Sequence, residues 1–267
     1  MPISDIQDAI LRHIAANRSP ESYLAGATVL HRDDSSPRYS QDLDFFHDIE
    51  DSVALCAQKD AETLERAGYA LAWLLRTPAF HRAVVSVEKQ QLKIEWAQDS
   101  AFRFFPVQKD DRCGYRLHDA DAAINKVLAL AGRDEIRDFV DVIHIHNSYL
   151  SLGILAWAAC GKDPGFTPEF LLDHAGRHTA YTQEDLERLS LRESLKIGDL
   201  KKKWLAATEE ARHLVAALPP EEVGCLYLDS SGRPVTPDPS SSGFSTFARH
   251  WGTVHGAWPT VSPYESA

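Results

Sequence analysis

The chain has 267 residues, which is enough for one large domain or for two small domains with hydrophobic cores of their own. Its net charge of −11 argues against a protein whose whole surface binds RNA or DNA, because such proteins are usually basic. The four cysteines are far apart and form no CxxC pair, which excludes a disulfide framework and a cysteine-based zinc site.

Residues 1–19 are predicted to form an amphipathic helix, because Ile6, Ile10, Leu11 and Ile14 recur near helical spacing. This segment lacks the basic start and the apolar centre of a secretion signal. The sequence also contains no apolar run that is long enough to span a bilayer. These features predict a cytoplasmic protein.

The first zone of the chain, residues 1–115, mixes strand and helix signals. A short apolar strand ends in a small-residue turn at Gly26 and Ala27, and a helix is predicted to start near Thr28. Further elements follow as a strand at 42–46, a helix at 52–68 and extended segments at 69–76, 81–87 and 91–96. This zone is therefore expected to be a mixed sheet with flanking helices.

The rest of the chain divides into two further zones. Residues 116–218 carry helical periodicity almost throughout, which predicts a helical domain. Residues 219–267 follow Pro219–Pro220 and are expected to be an irregular tail, with a possible hairpin that turns at Ser231–Gly232. The predicted fold class is thus α+β, with an N-terminal mixed sheet followed by a C-terminal helical bundle.

The segment QDLDFF alternates acidic and apolar residues. On a strand, Asp42 and Asp44 share one face, and Leu43 and Phe45 share the other. Two neighbouring carboxylates repel each other, and a divalent cation such as Mg²⁺ relieves that repulsion while it binds substrate phosphate oxygens. The alternative is an exposed strand edge that carries two solvated acids.

Residues around this segment fit the same chemistry. Small residues at Gly26 and Ala27 allow backbone N–H groups to approach a phosphate at the start of a helix. Arg38 and Ser40 lie just before the acids and could contact phosphate oxygens.

A third acid occurs in QQLKIEWAQD, where Lys93 and Glu95 share one face of a predicted strand. If this strand adjoins the first, Glu95 could complete a three-carboxylate cage for two metal ions about 3.5–4 Å apart. The alternative is a solvent-facing residue of an amphipathic strand.

Together these patterns resemble a known family. A strand, a small-residue turn, R-x-S-x-D-x-D and a later K-x-E resemble the nucleotidyltransferase superfamily, and more narrowly the AbiEii/AbiGii toxin family of abortive-infection, type IV toxin–antitoxin systems. The block INKVLALAGRDEIRDFVDV is similar to that family's second motif, and the two blocks with the strands between them span about 20–145. The second block supplies Lys126, Arg133, Arg137, Asp138 and Asp141.

The resemblance implies a nucleotidyltransferase-like sheet domain at 1–115 and a helical domain at 116–218 that completes the site. It also implies roles for individual residues. Asp42, Asp44 and Glu95 would bind Mg²⁺ or Mn²⁺, and Lys126 would reach the nucleotide. The implied catalytic set is Asp42, Asp44, Glu95, Lys126 and Asp141, and the implied nucleotide-binding set is Gly26, Ala27, Arg38, Ser40, Lys93, Arg133, Arg137 and Asp138.

The implied reaction transfers a nucleoside monophosphate from an NTP to an acceptor hydroxyl and releases pyrophosphate. The family resemblance implies a toxin or phage-defence component, with tRNA or protein as the acceptor and a winged-helix antitoxin encoded nearby. Two departures from the family leave alternatives open: the turn is Gly-Ala, and the third acid is Glu95 instead of Asp. The alternatives are a catalytically weak nucleotide-binding regulatory protein and a small-molecule nucleotidyltransferase of the antibiotic-modifying kind.

Overall fold

The computed structural model describes residues 3–31, 36–177 and 180–259. Within them the helices are α1 (Asp5–Ile14), α2 (Gly26–Leu30), α3 (Glu50–Arg66), α4 (Asp119–Gly132), α5 (Ile136–Ser148), α6 (Leu152–Lys162), α7 (Pro168–Arg177), α8 (Gln183–Glu187) and α9 (Ile197–Ala217). The strands are β1 (Ser22–Ala25), β2 (Asp42–His47), β3 (Ala70–Thr77), β4 (Phe80–Val87), β5 (Gln90–Gln98), β6 (Phe102–Arg103), β7 (Gln108–Asp110), β8 (Gly114–Arg116), β9 (Cys225–Leu228), β10 (Pro234–Val235), β11 (Ala248–Trp251) and β12 (Thr253–Val254).

The chain divides into two compact units that are not continuous in sequence. Unit 1 consists of Met1–Ala101, Pro106–Ala122 and Leu189–Ser194. Unit 2 consists of Phe102–Phe105, Ala123–Arg188 and Leu195–Ala267.

Unit 1 is built on a seven-stranded sheet in the order β3-β4-β5-β2-β1-β8-β7. The β2–β5 and β1–β8 pairs are parallel and the other pairs are antiparallel, which makes the sheet mixed. Helices α1 and α3 pack against each other and against this sheet. The buried core includes Ile10, Leu43, Phe45, Ile94 and Trp96. The alternation in β2 therefore works as predicted, because its apolar side chains enter the core.

A buried polar network lies within this core. The guanidinium of Arg18 forms an ion pair with Asp60 on α3, and the indole Nε1 of Trp96 donates to the same carboxylate at 2.7 Å. His47 at the end of β2 is also fully buried, and its ring nitrogens have no hydrogen-bond partner among the described residues. Burial lowers the pKa of His47 to about 3, and the positive charge of Arg18 contributes to this shift. His47 is therefore a neutral imidazole at ordinary pH.

Unit 2 is mainly helical. Helix α6 is apolar on all sides, from Leu152 to Cys160, and it contacts α5, α7 and α9. A helix that is hydrophobic all round is expected at the centre of such a bundle. The predicted α+β class, with a mixed sheet followed by helices, is confirmed.

The segment after 219 contains more regular structure than its sequence suggests. Strands β10, β9 and β11 form one antiparallel sheet, and β12 pairs with β6. The antiparallel β9–β10 pair flanks Ser231–Gly232, as expected for a hairpin. Residues 260–267 of the expected tail lie outside the described residues. No helix in the described part of the chain combines the length and the apolar content needed to cross a membrane.

Candidate active site

The register of the two central parallel strands places four charged side chains together in unit 1. Asp42 pairs with Lys93, and Asp44 pairs with Glu95, across β2 and β5. Residues opposite each other on adjoining strands point to the same face of a sheet. The residues that alternate with them, such as Leu43 and Ile94, point to the other face and lie in the core. The four charged side chains therefore project from the face opposite the core.

Lys93 lies between two of the carboxylates. Its Nζ is 3.1 Å from Oδ2 of Asp42 and 3.0 Å from Oε1 of Glu95. Glu95 also forms an ion pair with Arg82 on the adjoining strand β4, whose Nε is 2.8 Å from the same Oε1. Burial by itself would lower the pKa of Lys93, but its hydrogen bond to Glu95 and the charge of Asp42 outweigh that effect and raise the pKa.

The turn at Gly26 is fitted to Asp44. Gly26 has φ +64°, in the left-handed region that other residues adopt at a cost. A Cβ added at Gly26 would lie 1.9 Å from Oδ2 of Asp44. Glycine is therefore required here for two reasons: the backbone conformation and the close approach of the carboxylate.

Ser40 is placed to hold the start of β2. Its side chain is buried, and its hydroxyl donates to the carbonyl of Asp42 at 3.0 Å. The hydroxyl of Thr28 on α2 lies 2.9 Å from both Ser40 Oγ and the Asp42 carbonyl. The side-chain amide of Gln7 on α1 donates to the carbonyls of Ser40 and Asp42, at 3.2 and 3.3 Å.

These contacts identify two positioning residues that sequence reasoning missed. Thr28 and Gln7 fix the backbone of Asp42, although neither belongs to a recognisable motif. The available signal was the polarity of Gln7, which lies on the apolar side of the amphipathic helix predicted at 1–19. The predicted phosphate contacts of Ser40 and Ala27 stay predictions.

The backbone around Arg38 is held by contacts with residues 190–192, which also belong to unit 1. It forms a β-bridge with Leu191, and the backbone N–H of Tyr39 donates to the carbonyl of Ser190 at 2.8 Å. The N–H of Arg192 in turn donates to the carbonyl of Pro37 at 3.0 Å. The Arg38 side chain is buried, and its Nη1 donates to the carbonyl of Tyr39.

The second sequence block forms a buried ion cluster in unit 2. Nζ of Lys126 on α4 lies 2.9 Å from Oδ1 of Asp138 and 3.2 Å from Oδ2 of Asp141, both on α5. Nε of Arg133 is 2.7 Å from the other oxygen of Asp138. Burial alone would raise the pKa of Asp138, but the charges of Lys126 and Arg133 outweigh it and lower the pKa. Nε of Arg137 lies 3.7 Å from Glu135.

The arrangement differs from the predicted three-carboxylate cage. Within residues 3–31, 36–177 and 180–259, no group of three or more His, Cys, Asp or Glu side chains is arranged to hold a metal ion. Glu95 does not fit as a metal ligand in this arrangement, because it is held by Lys93 and Arg82. Asp42 also contacts Lys93, but Glu95 is held by two cations through the same oxygen. Asp42 and Asp44 fit, since neighbouring carboxylates are the donors that Mg²⁺ takes from proteins.

Comparison with known proteins identifies the fold. No protein-family model matches the chain, and no curated protein matches it. Among solved structures, the chain is similar to MenT4, a nucleotidyltransferase toxin from Mycobacterium tuberculosis H37Rv, with a TM-score of 0.58 and 15% identity over 81% of this chain and 83% of that chain. It is also similar to JHP933 from Helicobacter pylori, with a TM-score of 0.50 and 17% identity over 80% of this chain and 95% of that chain. The chain therefore has a nucleotidyltransferase-like fold, and the resemblance read from its sequence is confirmed at the level of fold.

Proposed function

We propose that this protein is a metal-dependent nucleotidyltransferase, which transfers a nucleoside monophosphate from an NTP to an acceptor hydroxyl and releases pyrophosphate. The observation that carries the proposal is the register of β2 and β5, which brings Asp42, Asp44 and Glu95 to one face of the sheet. The fold shared with a nucleotidyltransferase toxin supports the same reaction class.

The reaction asks for positioning and for stabilisation of charge at the α-phosphate. Mg²⁺ or Mn²⁺ held by Asp42 and Asp44 would supply Lewis-acid neutralisation of phosphate charge. Gly26 lets the chain turn close to Asp44 and leaves the space that its carboxylate occupies. Thr28 fixes the backbone of Asp42, so that both acids start from defined positions.

The other residues of the predicted sets keep more limited roles in this proposal. Arg38 and the backbone at Ala27 would contact the triphosphate. A contribution of Lys126, Asp141 and the remaining residues of the second block to nucleotide transfer rests on the sequence resemblance. We expect the reaction to take place in the cytoplasm.

The biological role proposed here is that of a toxin or phage-defence component. Two observations support it: the sequence resemblance to the AbiEii/AbiGii family, and the fold shared with MenT4, which is described as a toxin. The acceptor would be tRNA or a protein hydroxyl, and a winged-helix antitoxin encoded nearby would be its partner.

The proposal is tested with radiolabelled nucleotides. The purified chain is incubated with each of the four NTPs, labelled at the α- or the γ-phosphate, together with Mg²⁺ or Mn²⁺ and either total tRNA or cell protein. The expected result is transfer of the α-label with one NTP, no transfer of the γ-label, and release of pyrophosphate.

The matched variants are Asp44→Ala and the control Asp51→Ala, which removes an exposed carboxylate from the first turn of α3. Asp44→Ala should abolish labelling, and Asp51→Ala should retain it. Equal labelling by Asp44→Ala and the wild type would overturn the proposal.

A second candidate is a nucleotide-binding regulatory protein without turnover. It is favoured by Ala27 in the turn and by the engagement of the Ser40 hydroxyl with Thr28 and the Asp42 carbonyl. Calorimetry with GTP or ATP and Mg²⁺ separates the two functions. Tight binding without pyrophosphate release, in the presence of every acceptor tried, would support this second candidate.

A further inference from the structure

The ammonium of Lys93 stands in the position where the sequence pattern leads one to expect a metal ion. Its contacts with Asp42 and Glu95, at 3.1 and 3.0 Å, join one carboxylate of β2 to one carboxylate of β5. A three-carboxylate cage for two metal ions would draw on the same pair of acids. The lysine thus supplies the bridging positive charge from the chain itself.

A second divalent ion is disfavoured by this arrangement for two reasons. An ion between Asp42 and Glu95 would need the place that the ammonium already occupies, at 3.1 and 3.0 Å from the two carboxylates. It would also have to take Glu95 from Arg82, which holds Oε1 at 2.8 Å. Asp44 lies on the side of the Gly26 turn, where β1 pairs with β2.

The ammonium retains capacity for a substrate. A lysine ammonium has three N–H donors. Among the described residues, Asp42 and Glu95 are its partners, and the side chain is one-third exposed. A phosphate oxygen can therefore take the remaining donor, whereas the two carboxylates fix where that donor points.

On the basis of the proposed function, we infer that Lys93 replaces the second metal ion of a nucleotidyltransferase centre. The centre then takes a single divalent ion on Asp42 and Asp44, and Lys93 binds an NTP phosphate oxygen. Glu95 is a positioning residue, which acts with Arg82 to hold the ammonium in place.

The test counts Mn²⁺ ions, which can be done without turnover. Binding of Mn²⁺ is followed by electron paramagnetic resonance, with a non-hydrolysable NTP analogue present. The variants are Lys93→Met, which removes the charge and keeps the apolar stem, and Lys93→Arg, which keeps the charge. Lys89→Met is the control, because Lys89 is exposed in the β4–β5 turn. Thermal unfolding checks that each variant is folded.

The wild type, Lys93→Arg and Lys89→Met should each bind one Mn²⁺ per chain. Lys93→Met should bind two, because Asp42 and Glu95 are then released from the ammonium. Glu95→Gln should still bind one Mn²⁺, with a higher KM for the NTP, since the lysine loses one of its anchors.

Two bound Mn²⁺ ions in the wild type would overturn the inference, even if nucleotide transfer is demonstrated. So would a folded Lys93→Met variant that binds one Mn²⁺ with unchanged affinity for the analogue. By contrast, one Mn²⁺ in the wild type and two in Lys93→Met, without transfer to any acceptor, would support the assignment of Lys93 and count against the proposed function.

Discussion

Substitution of Gly26 by alanine should separate catalysis from stability. The added Cβ would meet Oδ2 of Asp44 at 1.9 Å, whereas ordinary van der Waals contact begins at 3.4 Å. The difference, 3.4 − 1.9 = 1.5 Å, is the distance by which the carboxylate must move away if the backbone keeps its place. The change therefore acts directly on one of the two proposed metal ligands.

The expected effects on stability and activity differ in size. An L-residue in the left-handed region costs roughly 1–2 kcal/mol, which corresponds to a decrease in Tm of about 2–8 °C for a chain of this size. A displacement of about 1 Å in a catalytic group can lower the rate about 100-fold. Gly26→Ala should thus remain folded and lose at least about 100-fold in nucleotide transfer.

Gly68→Ala is the matched control. Gly68 follows α3 with φ +90°, and a Cβ added there meets no described atom within 4 Å. It should lower the Tm by no more than Gly26→Ala does, because only the backbone cost applies there, and it should leave transfer unchanged. The assay measures transfer of the α-label at saturating NTP for both variants, with the Tm measured by circular dichroism. Transfer by Gly26→Ala within about threefold of Gly68→Ala would refute the reasoning, since even a 1 Å shift of Asp44 should cost far more.

Three further predictions concern the buried polar groups. His47→Leu should make the protein less sensitive to acid. In the folded wild type the pKa of His47 is about 3, below the ordinary 6.5, so the unfolded state takes up a proton first as the pH decreases. The stability of the wild type therefore falls as the pH decreases from 6.5 towards 3. At pH 5 this linkage lowers the free energy of unfolding of the wild type by about 2 kcal/mol relative to the variant. Urea unfolding at pH 5 and pH 7.5 will measure the difference, and an equal pH dependence in both proteins would contradict the prediction. Lys126→Met should lower the free energy of unfolding by about 3–5 kcal/mol, because it leaves Asp138 and Asp141 buried without the lysine ammonium. A loss below about 1 kcal/mol in urea unfolding would argue against this ion cluster. Thr28→Val should cost about 0.5–1.5 kcal/mol and raise the KM for the NTP, because the carbonyl of Asp42 loses one buried donor while Ser40 and Gln7 remain. An unchanged Tm and KM would show that this hydrogen bond does not position the site.

The faces of the central strands could be predicted from the sequence, because they depend on a local pattern. Alternation in β2 and β5 assigns Leu43 and Ile94 to the core and Asp44 and Glu95 to the other face, whatever the rest of the chain does. The pairing of Asp44 with Glu95 needed one more assumption, that the two strands are neighbours. The structure supports that assumption through the parallel register.

Other features of the site depend on contacts between residues that are distant in sequence. The position of the Lys93 ammonium between two acids depends on the register of β2 against β5, which no single strand encodes. The return of Leu191 to pair with Arg38 joins segments about 150 residues apart, and nothing in either segment alone indicates it. Likewise, Gly26 could be recognised as a turn residue, but its contact with Asp44 follows from the antiparallel pairing of β1 and β2.

The most direct test of the account is a double-mutant cycle on Asp42 and Asp44. Single-turnover transfer of the α-label is measured for the wild type, Asp42→Asn, Asp44→Asn and the double variant. If both carboxylates hold one metal ion, each single change should lower the rate roughly 100-fold or more, and the double change should add little, since the groups act as one unit. Losses that multiply in the double variant, or a folded single variant with wild-type transfer, would contradict the claim that these two acids form the catalytic centre.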